Sequence, residues 1–251
     1  MSGHSKWSTI KRKKGANDAK RGKVFTKIAR ELQVAAAAGG PDPETNIRLR
    51  LVLDKAKAAN MPKNNIERAI ARGAGTDKGQ DLEEINYEGY GPNGVAVMIE
   101  VMTDNRNRSV AEIRHAFTKS GGNMASIGAV GWQFDRKGQI LVKTGSMDED
   151  DLFLVAVDVG AEDVDFNDDG TAEIITAAVD LAAVRDKLSA ENIEVDAAEL
   201  FMVPQSEIEL PVRDAIKVMN LIENLEDLDD VQKVYSNLAI NEELLIELES
   251  A

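Results

Sequence analysis

The chain has 251 residues, with 44 Asp and Glu against 30 Lys and Arg, and it contains no cysteine. The absence of cysteine excludes disulfides, thiolate catalysis and cysteine-ligated zinc, and no run of about 18 apolar residues is present that would span a bilayer. The net charge of −14 is the sum of two parts of opposite sign. Residues 1–78 carry 18 basic and 7 acidic residues, whereas residues 79–251 carry 12 basic and 37 acidic residues.

The basic head, residues 1–78, is predicted to form three short helices around one small core. Apolar residues recur at three- and four-residue steps from residue 24 to residue 35, and two glycines follow at 39 and 40, which is typical of an amphipathic helix and its end. The Asp-Pro-Glu segment at 42–44 predicts the start of a second helix, and Pro62 separates that helix from a third.

Glycines and a change of period divide the chain into domains. The segment "GAGTDKGQ", residues 73–80, has the composition of a linker. After it, "VAVMIEV" (95–101) predicts a buried strand, residues 107–120 a helix, and "GWQF" (131–134) a return to extended structure. We predict a helical domain at 1–78, a discontinuous α/β domain at 79–134 plus 206–251, and an inserted domain at 135–205.

The inserted domain is predicted from the order of its elements. Strand 139–143, helix 148–159, strands 163–166 and 172–176, helix 179–190 and strand 199–203 follow one another as β-α-β-β-α-β, the ferredoxin-like order. The later segments "IELPV", a helix near 214–225 and "VQKVYS" then complete the sheet begun at residue 82. The predicted fold class is α+β, with a three-helix N-terminal domain and two α/β domains, the ferredoxin-like one inserted in the other.

Two short motifs that suggest ligands are better explained as hairpin turns. The segment "GYGPNG" (89–94) matches G-x-G-x-x-G, but a strand follows it where dinucleotide binding needs a helix N-terminus. The segment "DFNDDG" (165–170) matches half of an EF-hand loop, yet Thr176 occupies the position of the bidentate glutamate and strands flank it.

No catalytic constellation is evident in the sequence. The two histidines, His4 and His115, are far apart and have no cysteine to share a metal with. The acidic run at 148–151 suits a helix N-terminus, where negative charge is favourable. No nucleophile-elbow, Walker A or zinc-protease motif is present. We therefore expect neither an enzyme, nor a cofactor, nor a metal site.

The head has the features of a nucleic-acid-binding surface. Residues 6–25 hold eight basic residues and one acid, and Trp7 lies among them. Basic residues continue along the predicted helices at Lys27, Arg30, Arg48, Arg50, Lys55, Lys57, Arg68 and Arg72. Neutralising phosphates releases condensed counterions, so such a surface is expected to bind a polyanion. The acidic body is expected to face protein partners instead.

The residues leave the choice between DNA and RNA open. The second and third helices with the turn between them resemble a helix-turn-helix, and Asn64, Asn65 and Arg68 would lie near the start of its reading helix. A glycine-containing basic tail with His4 and Trp7 is instead typical of segments that order on structured RNA.

Three long segments resemble one family closely. They are "SGHSKWSTIKRKKGANDAKRGKVFTKIARE" at the start, "YEGYGPNGVAVMIEVMTDNRNRS" at 87–109 and "GGNMASIGAVGWQF" at 121–134. With them the chain is identified as a member of the YebC family, to which the mitochondrial translational activator of cytochrome c oxidase is also related. The resemblance implies a three-helix domain and two α/β domains, the last ferredoxin-like and inserted.

For function, the resemblance implies either a cytoplasmic DNA-binding transcriptional regulator or a ribosome-binding translation factor that assists elongation through proline-rich sequences. The nucleic-acid contacts that it implies lie at His4, Lys6, Trp7, Lys11, Arg12, Lys13, Lys14, Lys20, Arg21 and Lys23. A start directly at the motif favours a bacterial cytoplasmic member. A third possibility is a protein-interaction adaptor that acts through the acidic body.

A second family motif remains open between two interpretations. It comprises Thr103, Asp104, Asn105, Arg106, Asn107 and Arg108. It is either a functional site or a strand-to-helix turn with asparagine and aspartate caps.

Overall fold

Three helices form the N-terminal domain. The structure is a computed structural model that describes residues 18–77, 81–145, 147–167 and 169–250. Helix α1 spans Asp18–Gly39, α2 spans Ile47–Ala58 and α3 spans Lys63–Gly73. Ile28, Leu32 and Ala35 of α1 are buried against apolar side chains of α2 and α3, so the predicted periodicity is confirmed. Val24 is the exception, since its side chain is 45% exposed.

Helix α2 begins later than the sequence predicts. Residues 42–45 form a turn, and Asn46 is the N-cap, with its side-chain oxygen accepting a hydrogen bond from the Leu49 N–H at 3.0 Å. The Asn46 amide also donates to the carbonyls of Ala35 and Gly40, both at 2.8 Å. These bonds satisfy carbonyls at the end of α1, so packing between the helices decides where α2 starts.

We expect Asn46→Ala to destabilise the protein by about 2 kcal/mol, because it removes a cap and leaves two carbonyls without their donor. The measurement is the free energy of unfolding from urea titration. Asn46→Asp keeps the acceptor and loses the donor, so its effect should be intermediate, and exposed Thr45→Ala should change little. Equal effects of Asn46→Ala and Thr45→Ala would contradict this account.

A four-stranded antiparallel sheet forms the base of the second domain. Among the described residues its strands are β1 (Glu83–Tyr90), β2 (Ala96–Thr103), β3 (Asn123–Ala125) and β8 (Val231–Ser236), in the order β3-β1-β2-β8. Helices α4 (Arg106–Lys119) and α7 (Val212–Glu226) pack on one face, and α8 (Glu242–Ser250) contacts α7. Strand β8 thus returns from the end of the chain to pair with β2.

Two local predictions in this domain need correction. Residues 131–133 of "GWQF" form a 3₁₀ turn, and extended structure starts only at Phe134. In "IELPV" only Ile208 pairs, through an isolated bridge to Leu238, because α7 already begins at Val212 behind Pro211. The "GYGPNG" segment is confirmed as a hairpin connection, with Tyr90 opposite Ala96.

The inserted domain has the ferredoxin-like fold. Its elements are β4 (Phe134–Lys143), α5 (Glu149–Val159), β5 (Asp163–Phe166), β6 (Thr171–Ala177), α6 (Leu181–Ala190) and β7 (Val195–Pro204). The strand order β5-β6-β4-β7 is antiparallel at every pairing. The "DFNDDG" segment joins β5 to β6 as a hairpin turn, closed by the hydrogen bond from Asn167 N–H to the Thr171 carbonyl.

An apolar cluster joins the two sheets. Met98 and Tyr235 from the first sheet pack with Phe134 and Phe201 from the second, and Val130 lies with them. All five side chains are buried. The inserted domain is therefore fixed to the second domain by packing at the point where the chain enters and leaves it.

Candidate nucleic-acid interface

The cations of α1 point at the body of the protein. Lys23 Nζ lies 3.1 Å from Asp227 Oδ1, and Lys27 Nζ donates to the Glu226 carbonyl at 2.8 Å. Arg30 Nη1 lies 2.6 Å from Asp230 Oδ1 and also donates to the carbonyls of Met102 and Asp229. Three of the predicted nucleic-acid contacts therefore attach the head to the turn between α7 and β8.

Asp230 is the centre of that attachment. Its buried carboxylate accepts hydrogen bonds from Ser109 Oγ at 2.6 Å, Arg108 Nη2 at 2.8 Å and Thr103 Oγ1 at 3.0 Å, besides Arg30. Desolvation opposes ionisation, but the hydrogen bonds from these side chains outweigh it and lower the pKa of Asp230 to about 2. The carboxylate is thus a charged junction between the head, β2, α4 and β8.

The motif at 103–108 contributes to this junction. Strand β2 ends at Thr103, Asn105 caps α4 by accepting from the Arg108 N–H at 3.1 Å, and Arg108 pairs with Asp104 at 2.7 Å. These contacts are those of a strand-to-helix turn with caps. Arg106 and Asn107 are exposed on the first turn of α4.

The predicted contacts on α2 also pair with acids. Arg48 makes two hydrogen bonds to the Glu84 carboxylate, at 2.7 and 3.0 Å, and Arg50 lies 3.8 Å from Asp186. Lys55 pairs with Glu31 at 2.8 Å and approaches Glu199 at 3.9 Å. Since Glu84, Asp186 and Glu199 belong to the body, these pairs also connect the head to it.

Arg68 is differently placed, in a cleft between α1 and α3. Its side chain is exposed and makes no ion pair with another described residue. The cleft has a volume of about 400 Å³. It is lined by Phe25, Ala29, Arg30 and Gln33 of α1, Asn65, Arg68 and Arg72 of α3, and Leu82 and Asp104 of the body.

The side chains of this cleft suit a ligand that carries both phosphate groups and planar bases. Arg68 and Arg72 lie one helical turn apart on α3, and Arg72 is only loosely paired, 3.8 Å from Asp77. Guanidinium groups bind phosphates through paired hydrogen bonds, and the amide of Asn65 can pair with a base edge. Arg72 was among the basic residues that the sequence indicated along the helices, whereas nothing in the sequence pointed to Gln33.

The remaining predicted contacts all lie within residues 4–21. Lys20 and Arg21 lie in α1, for which the structure describes only the backbone at those positions. The others lie outside the described residues: His4, Lys6, Trp7, Lys11, Arg12, Lys13 and Lys14. Within the described ranges no helix is long and apolar enough to cross a membrane, and no group of His, Asp and Glu side chains is arranged to hold a metal ion.

These features define a class of protein: a helical basic domain fixed by ion pairs to two α/β domains, with an arginine-lined cleft beside the junction. The chain belongs to the TACO1/YebC family. The family's N-terminal domain matches residues 5–76, and its second and third domains match residues 82–238.

Similar proteins cover the chain almost completely. A relative from Pseudomonas syringae pv. tomato, named "Probable transcriptional regulatory protein", is 53% identical over 99% of this chain and 100% of its own length. A relative of the same name from Trichlorobacter lovleyi is 54% identical over 96% of this chain and 97% of its own. The crystal structure of a conserved hypothetical protein from Aquifex aeolicus is 46% identical, with a TM-score of 0.84 over 91% of this chain and 94% of that one.

Proposed function

We propose that this protein is a non-enzymatic regulator of gene expression that binds nucleic acid through its basic N-terminal domain. The observation that carries the proposal is the cleft beside α3, in which Arg68 and Arg72 are exposed next to Asn65. The name of the relatives, "Probable transcriptional regulatory protein", is consistent with it. The charge of the chain agrees too, since the basic residues exceed the acidic ones by 11 over residues 1–78.

The head's cations divide into two roles in this proposal. Arg68 and Arg72, with the basic residues of the first 21 positions, contact phosphates. The residues that pair with the body hold the head in place: Lys23, Lys27, Arg30, Arg48, Arg50 and Lys55. A cation that is already satisfied by a carboxylate gains less from a phosphate, because its ion pair must first be broken.

We expect the double variant Arg68→Ala/Arg72→Ala to bind nucleic acid at least tenfold more weakly, because two charge-assisted contacts are lost. The measurement is fluorescence anisotropy of labelled RNA and duplex DNA over a range of salt concentrations. The slope of log affinity against log salt should decrease by about one for each phosphate contact removed. The control, Lys143→Ala/Lys217→Ala, removes two exposed cations of the body that lie outside the cleft.

Equal losses in the two double variants would mean that only total charge matters and that the cleft is not the site. Unchanged binding in both variants would mean that the basic residues of the first 21 positions make the nucleic-acid contact without the cleft. Absence of binding to RNA and DNA alike would overturn the proposal and favour an adaptor acting through the acidic body.

A translation factor that binds ribosomal RNA is the second candidate, and the walls of the cleft favour it. Asn65 and Arg68, expected to read bases from a helix-turn-helix, line a cleft bounded by α1 and by Leu82 and Asp104 of the body. A duplex major groove requires a protruding helix, whereas an unpaired strand needs only a cleft. Sedimentation of the protein with ribosomal particles at low salt, lost at high salt or with ribonuclease, would support this candidate; sedimentation at the top of the gradient throughout would favour DNA.

A further inference from the structure

A buried carboxylate binds the backbone of the loop at 126–133. Glu88 on β1 is only 6% exposed, and it accepts hydrogen bonds from the N–H groups of Gly128 at 2.8 Å, Val130 at 2.6 Å and Gly131 at 2.9 Å. Burying a charge is costly unless it is satisfied in this way. Desolvation would raise the pKa of Glu88, but the backbone donors outweigh it and lower the pKa.

The backbone of the loop is shaped to receive this carboxylate. Gly128 has φ of +88°, which residues with a Cβ rarely adopt. At Gly131 a Cβ would lie 3.1 Å from Glu88 Oε1, so a larger residue would crowd the carboxylate. The Ala129 carbonyl accepts from Tyr90 Oη at 3.2 Å, and Gln205 N–H donates to the Gln133 carbonyl at 2.8 Å. The loop is therefore fixed along most of its length.

This fixed loop presents two large apolar side chains to solvent. Trp132 is 69% exposed and Ile127 is 75% exposed. The indole Nε1–H of Trp132 donates to the Ala129 carbonyl at 3.1 Å, so its one polar group is satisfied within the loop. What the ring offers to a partner is its π surface.

Apart from the buried Glu88 carboxylate, whose charge is satisfied by the backbone of the loop, the chain on either side of the loop is free of acidic residues. Residues 113–134 contain no Asp or Glu and include Arg114 and Lys119, although residues 79–251 hold 37 acidic residues. Arg114 and Lys119 are exposed and make no ion pair with another described residue. The nearest acid along the chain is Asp135, whose carboxylate accepts from Gln205 Nε2 at 3.0 Å.

We propose that Trp132 is a stacking platform for an unpaired nucleobase, which makes the loop a second contact for single-stranded nucleic acid. The proposal rests on the proposed function and adds a site to it. Aromatic rings stack on any base, with little sequence preference, and a ring that is held in place before binding loses little entropy on contact. A protein partner that docks an apolar side chain on the loop is the competing explanation.

The chain offers a direct reporter, because Trp7 and Trp132 are its only tryptophans. In a Trp7→Phe background, titration with a single-stranded RNA oligonucleotide is expected to quench Trp132 emission. The midpoint should coincide with the one measured by anisotropy of the labelled RNA. In the same background Trp132→Ala should weaken binding roughly tenfold. Trp132→Phe should retain most of the affinity, because phenylalanine keeps an aromatic ring. Trp132→Leu should not, because leucine is equally apolar but has no ring to stack on a base.

The outcomes separate this inference from the proposed function. If RNA binds by anisotropy while Trp132 emission and the affinity of Trp132→Ala stay unchanged, the stacking proposal is wrong and the proposed function stands. If Trp132→Leu binds as well as Trp132→Phe, the loop is an apolar docking surface and stacking is again excluded. If no nucleic acid binds, both proposals fail. Thermal unfolding of each variant checks that the exposed substitutions leave the fold intact.

Discussion

Asp230→Ala is expected to lower the free energy of unfolding by about 3 to 5 kcal/mol, because it removes the acceptor from a buried charged network. Arg30 and Arg108 would lose a carboxylate at 2.6 and 2.8 Å, and the hydroxyls of Thr103 and Ser109 would lose their shared acceptor. Since Arg30 belongs to α1, the same change should loosen the head from the body.

Two measurements test this expectation. Urea unfolding gives the loss of stability, and limited proteolysis near residues 73–80 reports release of the head. The matched control is Asp229→Ala, which removes the exposed carboxylate of the neighbouring residue. Asp229 contacts Arg30 through its backbone carbonyl, which the substitution keeps. Its cost should stay within about 0.5 kcal/mol. Similar losses in the two variants would show that Asp230 is not the junction.

The pH dependence of stability follows from the same group. The pKa of Asp230 is about 2 in the folded protein, below its usual value of 3.8. The folded state therefore gains stability from the ionised carboxylate above the usual value, and this gain is lost as the pH falls from about 4 towards 2. Asp230→Asn should show a shallower decrease in stability over that interval.

Glu88→Ala is expected to cost about 4 to 5 kcal/mol, because three backbone N–H groups lose a charged acceptor and each such hydrogen bond contributes at least about 1.5 kcal/mol. The measurements are the free energy of unfolding and, in the Trp7→Phe background, the emission of Trp132, whose surroundings should change when the loop is released. Glu83→Ala, an exposed acid on the same strand, is the control. A loss in Glu88→Ala no larger than in Glu83→Ala would contradict the proposed role of the carboxylate.

The pKa of Glu88 determines how stability changes with pH. This pKa is lowered relative to its usual value of 4.5. The stabilisation from Glu88 is thus complete above the usual pKa and is lost as the pH falls through the lowered one. Glu88→Gln should therefore make stability less dependent on pH in acid, besides being less stable than the parent protein at neutral pH.

Structural features that depend on residues close together in the chain were predictable from the sequence. The apolar steps of α1, the β-α-β-β-α-β order and the two hairpin turns all follow from side-chain period and from glycine, proline and asparagine at turns. Each helix, strand and turn among them is signalled by its own short stretch of chain, and the β-α-β-β-α-β order is the succession of such elements. The head's excess of positive charge was visible in the same way, as a property of composition.

The tertiary structure decided which of those charges are used within the molecule. Arg30 and Asp230 are 200 positions apart in the chain, and Arg50 and Asp186 are also distant, so no local pattern indicates that they pair. The start of α2 depended on carbonyls at the end of α1, and the backbone of the loop that carries Trp132 is bonded to Glu88 on a separate strand. The physical reason is the same in each case: ion pairs, caps and buried carboxylates depend on distances in space, and these are set only when the domains pack together.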